Sequence, residues 1–281
     1  MRSRPAFNPI IPSPYQDLFI YYLEGHLSSE VELKADIFIG NWEEDNFSFL
    51  FFSEPAMGIL KDLLLAQPHL TLLDQFQMTY EEWQGGPVKP FRMGRFTIVP
   101  PWYHSHFGLN SDTIVLDPGV VFGTGTHPTT RDCMAALELA FSINPSAITL
   151  DIGTGTGLLA IAAAHLGSSK VIAVDLNHLA ARTALSNVYY NGLFDQIIVL
   201  RADAQKSIDL PSDLMISNIH YDVMKNLIHS KGFLNNRQFI LSGLLRSQAR
   251  NITDQLTQYP VKIIQRWSHE GIWHTFYGEV I

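Results

Sequence analysis

From about residue 128 to the C-terminus, apolar strand patterns alternate with helical patterns, and this alternation constrains the fold more than any other feature. Strands that alternate with helices form βαβ units on a parallel sheet. Two final strands without a helix between them predict an antiparallel hairpin at the edge of that sheet. The predicted strands are 148–151, 171–175, 197–200, 214–217, 239–242, 261–267 and 273–280, and the predicted helices are 128–142, 157–166, 178–190, 221–230 and 245–257.

The first hundred residues have a different pattern, with strands predicted at 19–23, 47–52 and 70–78 and a helix at 55–66. This mixture is typical of a small α+β module. Gly85, Gly86 and Pro87 mark its end, and a short strand is predicted at 95–99. The predicted organisation is an N-terminal α+β domain at 1–84, a linker at 85–115 and an α/β domain at 116–281.

The composition excludes several classes of protein. Acidic residues outnumber basic ones by 27 to 19, which disfavours electrostatic binding of nucleic acid. The single cysteine, Cys133, excludes an intramolecular disulfide and a cysteine-rich zinc site, and it fits a reducing compartment. No apolar stretch approaches membrane-spanning length, and early prolines interrupt any signal peptide. We therefore expect a cytoplasmic protein that does not bind a membrane or a metal ion.

The clearest chemical motif is a strand that ends in Asp151 and turns through Gly153, Gly155 and Gly157 into a helix. Glycines allow a sharp turn and let a ligand approach main-chain N–H groups at the helix N-terminus. The spacing also fits the dinucleotide pattern G-x-G-x-x-G/A. The acid two residues before the first glycine argues against a pyrophosphate and favours the cationic amino-acid end of S-adenosylmethionine.

Polar residues follow the next three strands. Asp175 is placed to accept the hydroxyls of a ribose, although it could instead be the N-cap of the next helix. Asp203 is a candidate acceptor for an adenine amino group, or simply an exposed turn residue. Asn218 offers an uncharged amide that suits an amine beside a cationic methyl donor, and its alternative role is again an N-cap. His220 follows it and is a candidate proton relay, although a packed structural histidine is the alternative.

The most distinctive segment lies upstream, with the pattern D-P-G-x-x-F-G-T-G-x-H-P-T-T over residues 117–130. Its glycines and hydroxyls before a helix are typical of a lid over a bound cofactor. Together with D-x-G-x-G-x-G, the acid after the second strand and S-N-I after the fourth, this segment resembles the bacterial ribosomal protein L11 methyltransferase family. The resemblance is strong over residues 90–281 and weak before them.

This resemblance implies an α/β class I (Rossmann-like) methyltransferase fold, with a doubly wound, seven-stranded, mostly parallel sheet and a small ferredoxin-like N-terminal domain that recognises the substrate. It implies transfer of methyl groups from S-adenosyl-L-methionine to lysine side chains and the N-terminal amine of a large-subunit ribosomal protein. The implied cofactor contacts are Thr130, Gly153, Asp175 and Asn218, with Phe122, Gly123 and Thr126 in the loop alongside. The family usually continues its asparagine motif as N-I-L-A, whereas this chain has His220 and Tyr221.

The predicted mechanism is attack of a neutral amine, held by the Asn218 carbonyl, on the methyl group of the donor, with His220 as a candidate relay for the released proton. One alternative is an amino methyltransferase that acts on another protein or on nucleic-acid bases. The base-specific enzymes usually place two prolines and an aromatic residue after the asparagine, which this chain lacks. A second alternative is a sensor that holds S-adenosylmethionine or NAD without catalysis.

Overall fold

The computed structural model describes residues 14–28, 33, 35–106 and 112–281. The chain divides into two compact units near Lys89 and Pro90. The segment 85–115, which the sequence predicts to be a linker, contributes three short strands to the second unit. Among the helices that the structure describes, none combines the length and apolar character needed to cross a bilayer.

The first unit is a four-stranded antiparallel sheet with a helix between its third and fourth strands. The strands have the order β2-β3-β1-β4, which is the order of a ferredoxin-like sheet. This agrees with the predicted α+β class. The elements are β1 (Asp17–Glu24), β2 (Phe38–Glu44), β3 (Phe47–Phe52), α1 (Met57–Ala66), β4 (Thr71–Thr79) and the single turn α2 (Tyr80–Trp83).

Apolar side chains from the sheet and from α1 form the core of this unit. Tyr21 and Leu23 of β1 pack with Phe52 of β3 and with Leu60 and Leu63 of α1. The Tyr21 hydroxyl also accepts a hydrogen bond from the backbone N–H of Ala56 at 2.8 Å, just before α1. A buried tyrosine thus finds a partner for its polar end and fixes the start of the helix.

The second unit begins with a small three-stranded sheet, β5-β6-β7. Its strands β5 (Phe91–Met93), β6 (Phe96–Val99) and β7 (Thr113–Val115) are short, and a 3₁₀ helix spans Pro101–His106. β6 pairs antiparallel with β5 and parallel with β7. β7 leads directly into the loop that carries the family motif.

The seven-stranded sheet of the second unit has the order β10-β9-β8-β11-β12-β14-β13, and β14 runs antiparallel to both of its neighbours. This is the predicted arrangement of five parallel strands and a hairpin. In chain order, the elements are α3 (Pro128–Ile143), β8 (Ile148–Ile152), α4 (Leu158–Leu166), β9 (Lys170–Asp175), α5 (His178–Tyr190), β10 (Ile197–Arg201), α6 (Ala204–Ser207), β11 (Leu214–Asn218), α7 (Tyr221–His229), a 3₁₀ helix (Lys231–Asn235), β12 (Gln238–Leu245), α8 (Arg246–Leu256), β13 (Val261–His269) and β14 (Trp273–Val280).

Helices cover both faces of this sheet, as a doubly wound fold requires. Along β11, Leu214 and Ile216 belong to the core that contains α3 and α4, while Met215 belongs to the core that contains α7 and α8. Because successive side chains of a strand point to opposite faces, a strand covered on both sides is apolar throughout. The predicted fold class is confirmed, and the carboxyl ends of the central strands form the edge where such folds bind ligands.

Candidate functional site

Three polar residues lie where neighbouring central strands end. In the register of the sheet, Asp151 of β8 pairs with Ala173 of β9 and with Ile216 of β11. Asp175 ends β9, and Asn218 ends β11. Because these strands are adjacent and parallel, the sheet brings the predicted acids and the asparagine to one edge.

The glycine turn after β8 requires glycine at all three predicted positions. Gly153, Gly155 and Gly157 have φ angles of 76°, 56° and 83°, in the left-handed region that other residues rarely adopt. A Cβ at Gly155 would also lie 2.5 Å from the carbonyl oxygen of Phe122. The turn is therefore shaped both by its own backbone and by the loop packed against it.

Every backbone N–H group of this turn donates within the chain. Gly153 and Thr154 both donate to the carbonyl oxygen of Val174, at 2.8 and 3.0 Å. Gly155 donates to Oδ2 of Asp175 at 3.0 Å, Thr156 donates to the Phe122 carbonyl at 3.1 Å, and Gly157 donates to Thr154 at 2.9 Å. In this structure each N–H group of residues 153–157 therefore has an acceptor within the chain, and the approach of a ligand to the turn remains a prediction.

Asp151 is buried beneath the turn, with only 1% of its surface exposed. Its Oδ2 accepts a hydrogen bond of 2.6 Å from the Thr154 hydroxyl. Burial, and to a smaller extent the negative charge of Asp175, raise the pKa of Asp151 to about 7, against the opposing effect of hydrogen bonds from Thr154 and the Ala160 backbone. The carboxyl group therefore titrates near neutral pH.

The two other acids have different local roles. Asp175 does not cap α5, because Oδ1 of Asn177 accepts the hydrogen bond from the Leu179 N–H there at 2.9 Å. Asp203 is the N-cap of α6, and its Oδ1 accepts from the Gln205 N–H at 2.7 Å. The ligand-binding roles of both acids remain predictions.

The upstream loop lies directly on the glycine turn. The Thr156 hydroxyl donates to the Gly123 carbonyl at 2.6 Å, next to the Thr156 N–H bond to Phe122. The Phe122 side chain is 77% exposed, and the Thr126 hydroxyl is hydrogen-bonded to Thr124 at 2.9 Å. Of the loop residues predicted to contact the cofactor, Phe122 and Gly123 thus lie next to the glycine turn, which their carbonyl groups contact.

Two asparagines that the sequence analysis missed hold the start of this loop. Asn187 of α5 exchanges hydrogen bonds with the backbone of Asp117, at 2.8 and 2.9 Å, and Asn191 does the same with Val115, at 2.9 and 2.7 Å. The sequence offers a weak signal, because Asn187 is a poor residue for a helix interior and Asn191, one residue past the end of α5, is four positions further along.

Asn218 is connected to the family motif through a threonine other than the predicted one. Its Nδ2 donates to Oγ1 of Thr129 at 3.3 Å, and that hydroxyl is 2.7 Å from Nδ1 of His127. Thr130, the predicted contact, is buried in the same helical turn. Thr129 therefore orients the Nδ2 end of the amide, and the role of Oδ1 as an acceptor for a ligand remains a prediction. The alternative role of Asn218 as an N-cap is excluded, since α7 has His220 at that position.

His220 lies in an exposed position. Its side chain is 75% exposed, and its Nδ1 is 3.5 Å from Oδ2 of Asp222. It makes no side-chain cap to α7. The alternative that His220 is packed in the interior does not fit this exposure, and a role as proton relay remains a prediction.

A sequence profile described as ribosomal protein L11 methyltransferase (PrmA) matches residues 61–279. A relative of that name from Pediococcus pentosaceus is 40% identical over 188 residues, which cover 66% of this chain and 58% of the relative. Another from Desulfitobacterium hafniense is 33% identical over 265 residues, covering 85% of this chain and 84% of the relative.

A solved structure gives a similar result. The crystal structure of a ribosomal protein L11 methylase from Lactobacillus delbrueckii subsp. bulgaricus has a TM-score of 0.59 and 28% identity, and the match covers 69% of this chain and 99% of that one. The matches to the first five curated relatives span only 56–60% of those relatives' lengths. The extent of the profile match and the identity to the Desulfitobacterium protein nevertheless establish the family: this chain belongs to the ribosomal protein L11 methyltransferase family.

Proposed function

We propose that this protein transfers methyl groups from S-adenosyl-L-methionine to amines of a large-subunit ribosomal protein, which by analogy with its named relatives is L11. The acceptors would be lysine ε-amines, the N-terminal α-amine, or both. The observation that carries this proposal is the chemistry of the glycine turn. Its five N–H groups are used within the chain, and two carboxyl groups lie beside it.

This set of groups fits a cationic ligand better than a dinucleotide. A pyrophosphate requires backbone N–H donors, which this turn has already used, and its charge would be repelled by Asp175 and ionised Asp151. An ammonium or sulfonium group would be attracted to the same carboxylates. Asp151 and the turn of Gly153, Gly155 and Gly157 would hold the amino-acid end, while Asp175 would hold the ribose and Asp203 the adenine.

The cofactor would supply an activated methyl group, so the task of the protein is to position a neutral amine. A lysine side chain with a pKa of about 10.4 is mostly protonated at neutral pH, and releasing its proton costs about 4 kcal/mol. The Asn218 amide suits this task because Oδ1 accepts an N–H of the amine without the negative charge that would favour the protonated form. Thr129 sets this orientation by accepting from Nδ2.

The fate of the amine proton is the second part of the mechanism. We assign His220 as a candidate relay, since an exposed imidazole near Asp222 can pass a proton to solvent. A pH–rate profile for His220→Ala tests this role. A profile and rate identical to those of the wild type would remove it.

The distribution of charge supports a basic protein as the substrate. Residues 1–89 contain 13 acidic and 5 basic residues, a net charge of −8, whereas residues 90–281 contain 14 of each. An acidic surface attracts a lysine-rich partner and raises its rate of association. The same balance argues against sequence-specific binding of nucleic acid, and a ribosomal protein substrate implies a cytoplasmic location.

The experiment that tests the proposed function uses labelled S-adenosylmethionine and ribosomal proteins from cells that lack this gene. We expect label in one large-subunit protein. Asn218→Ala should keep cofactor affinity, measured by calorimetry, and lose about 100-fold or more in turnover, as when a positioning group is removed. Asn144→Ala is the matched control, because Asn144 is an exposed asparagine just before β8, at the opposite edge of the sheet.

The outcomes separate the alternatives. Cofactor binding without transfer to any protein would support a sensor, and preferential binding of NAD would support an oxidoreductase. Normal turnover in Asn218→Ala would refute the assignment of that residue.

A further inference from the structure

Every polar group of Thr156 is hydrogen-bonded, and two of the three bonds connect the glycine turn to the upstream loop. Its N–H donates to the Phe122 carbonyl at 3.1 Å, and its hydroxyl donates to the Gly123 carbonyl at 2.6 Å. Its own carbonyl accepts from Nδ2 of Asn187 at 2.8 Å. Thr156 is fully buried, so water cannot replace any of these partners.

Asn187 extends this connection to the other end of the loop. The same Nδ2 that reaches Thr156 also donates to the Asp117 carbonyl at 2.9 Å, and Oδ1 accepts from the Asp117 N–H at 2.8 Å. Asn187 is also fully buried. The loop 117–123 is therefore attached to the glycine turn at its first residue through Asn187 and at its last two residues through Thr156.

The loop 117–123 also has anchors of its own, since Val120 and Val121 are buried and Oδ1 of Asp117 accepts a hydrogen bond from the Gly119 N–H at 2.9 Å. Gly119 and Gly123 both have positive φ angles, and glycine loses more conformational freedom on ordering than any other residue. The hydrogen bonds of Thr156 and Asn187 add attachments at both ends, so the segment predicted to form a lid already lies on the glycine turn.

We propose that Thr156 and Asn187 are positioning residues that lock the 117–123 loop onto the glycine turn, so that the cofactor site is assembled before the cofactor arrives. This inference rests on the proposed function, since it concerns the same site. A loop that is already ordered loses no further conformational entropy when the cofactor binds, and the cofactor therefore binds more tightly. Neither residue need touch the cofactor to have this effect.

The test compares Thr156→Val, which keeps the shape and removes the hydroxyl, with Thr156→Ser, which keeps the hydroxyl. Hydrogen exchange of loop amides in the free protein should accelerate about three- to tenfold in Thr156→Val and stay near wild type in Thr156→Ser, the range expected for one net hydrogen bond. The KM for S-adenosylmethionine should rise by a similar factor in Thr156→Val alone, with little change in kcat or in the KM for the protein substrate.

Ser142→Ala is the control, since the Ser142 hydroxyl donates to the Leu139 carbonyl at 2.8 Å on an exposed part of α3. It should change neither loop exchange nor the KM. Should Thr156→Val fail to fold, Thr156→Ala removes the same hydroxyl with less crowding. Unchanged loop exchange, or faster exchange with an unchanged KM, would overturn the proposal. A wild-type protein without methyl transfer would refute the proposed function instead, because exchange is measured in the free protein.

Discussion

Binding of S-adenosylmethionine should release protons from the protein, because of Asp151. This carboxyl group is buried, and its pKa is raised to about 7 by burial and then by the charge of Asp175. A cationic ligand beside it favours the ionised form and therefore lowers its pKa. The free protein at pH 7 holds a proton on about half of its Asp151 side chains, and the complex holds far fewer.

The size of the effect follows from this pKa. Asp151 should contribute release of nearly one proton well below its pKa of about 7, roughly half a proton near it and little above it. The affinity should fall by about tenfold between pH 8 and pH 6, because the protonated form must first lose its proton before the ligand binds tightly.

Isothermal calorimetry measures both quantities when the titration is repeated in buffers of different ionisation enthalpy. The α-amino group of the ligand also titrates near pH 8, so the difference between wild type and Asp151→Asn is the quantity to compare. The variant keeps a polar group of the same size and has no proton to release. Equal proton release and equal pH dependence in the two proteins would refute the reasoning.

Three further results are expected. At pH 8, Asp151→Asn should have a free energy of unfolding higher than that of the wild type by up to about 4 kcal/mol. The difference should vanish towards pH 4, because a carboxyl group with a raised pKa stabilises the fold less as the pH rises through about 7. Asn191→Ala should lower the unfolding free energy by about 1–3 kcal/mol in urea titrations, since it leaves the buried N–H and carbonyl of Val115 without their partner. Gly155→Ala should cost about 1–3 kcal/mol from its positive φ alone and should weaken cofactor binding measured by calorimetry, because its Cβ would displace the Phe122 carbonyl.

Periodicity was sufficient to predict the seven-stranded sheet, because the central strands are apolar on both faces and most of the helices between them are amphipathic, with α4 buried on all sides. Strands β5 and β7 were missed because three residues are too few to show a period. β2 was missed because its sequence contains Gly40, Asn41 and two glutamates, which are poor strand formers. It is an edge strand whose conformation is set by its pairing with β3.

The candidate site was predictable where a residue follows a strand and not where it depends on distant contacts. Asp151, Asp175 and Asn218 were found because topology alone brings strand ends together. Asn187 could not be placed, because its partner Asp117 is 70 residues away in the chain.

Near Asn218, closeness in sequence did not identify the residue that contacts its side chain. His220 was singled out because it lies two residues further along the chain, but the backbone turns into α7 there and leaves its side chain exposed. The Asn218 amide instead meets Thr129, 89 residues earlier, which lies beside the predicted Thr130.

The ambiguity of the glycine motif has a structural origin. The same spacing of glycines serves a dinucleotide site when the N–H groups of the turn are available to a phosphate, and it cannot do so when they are used elsewhere. Here four of the five N–H groups have acceptors outside the motif, in Val174 and Asp175 of β9 and in Phe122 of the upstream loop, and only the Gly157 N–H donates within it, to Thr154. The upstream loop therefore carries information about the class of ligand. Because it supplies the acceptor for the Thr156 N–H, the turn presents carboxylates and carbonyl oxygens to a ligand instead of free N–H donors.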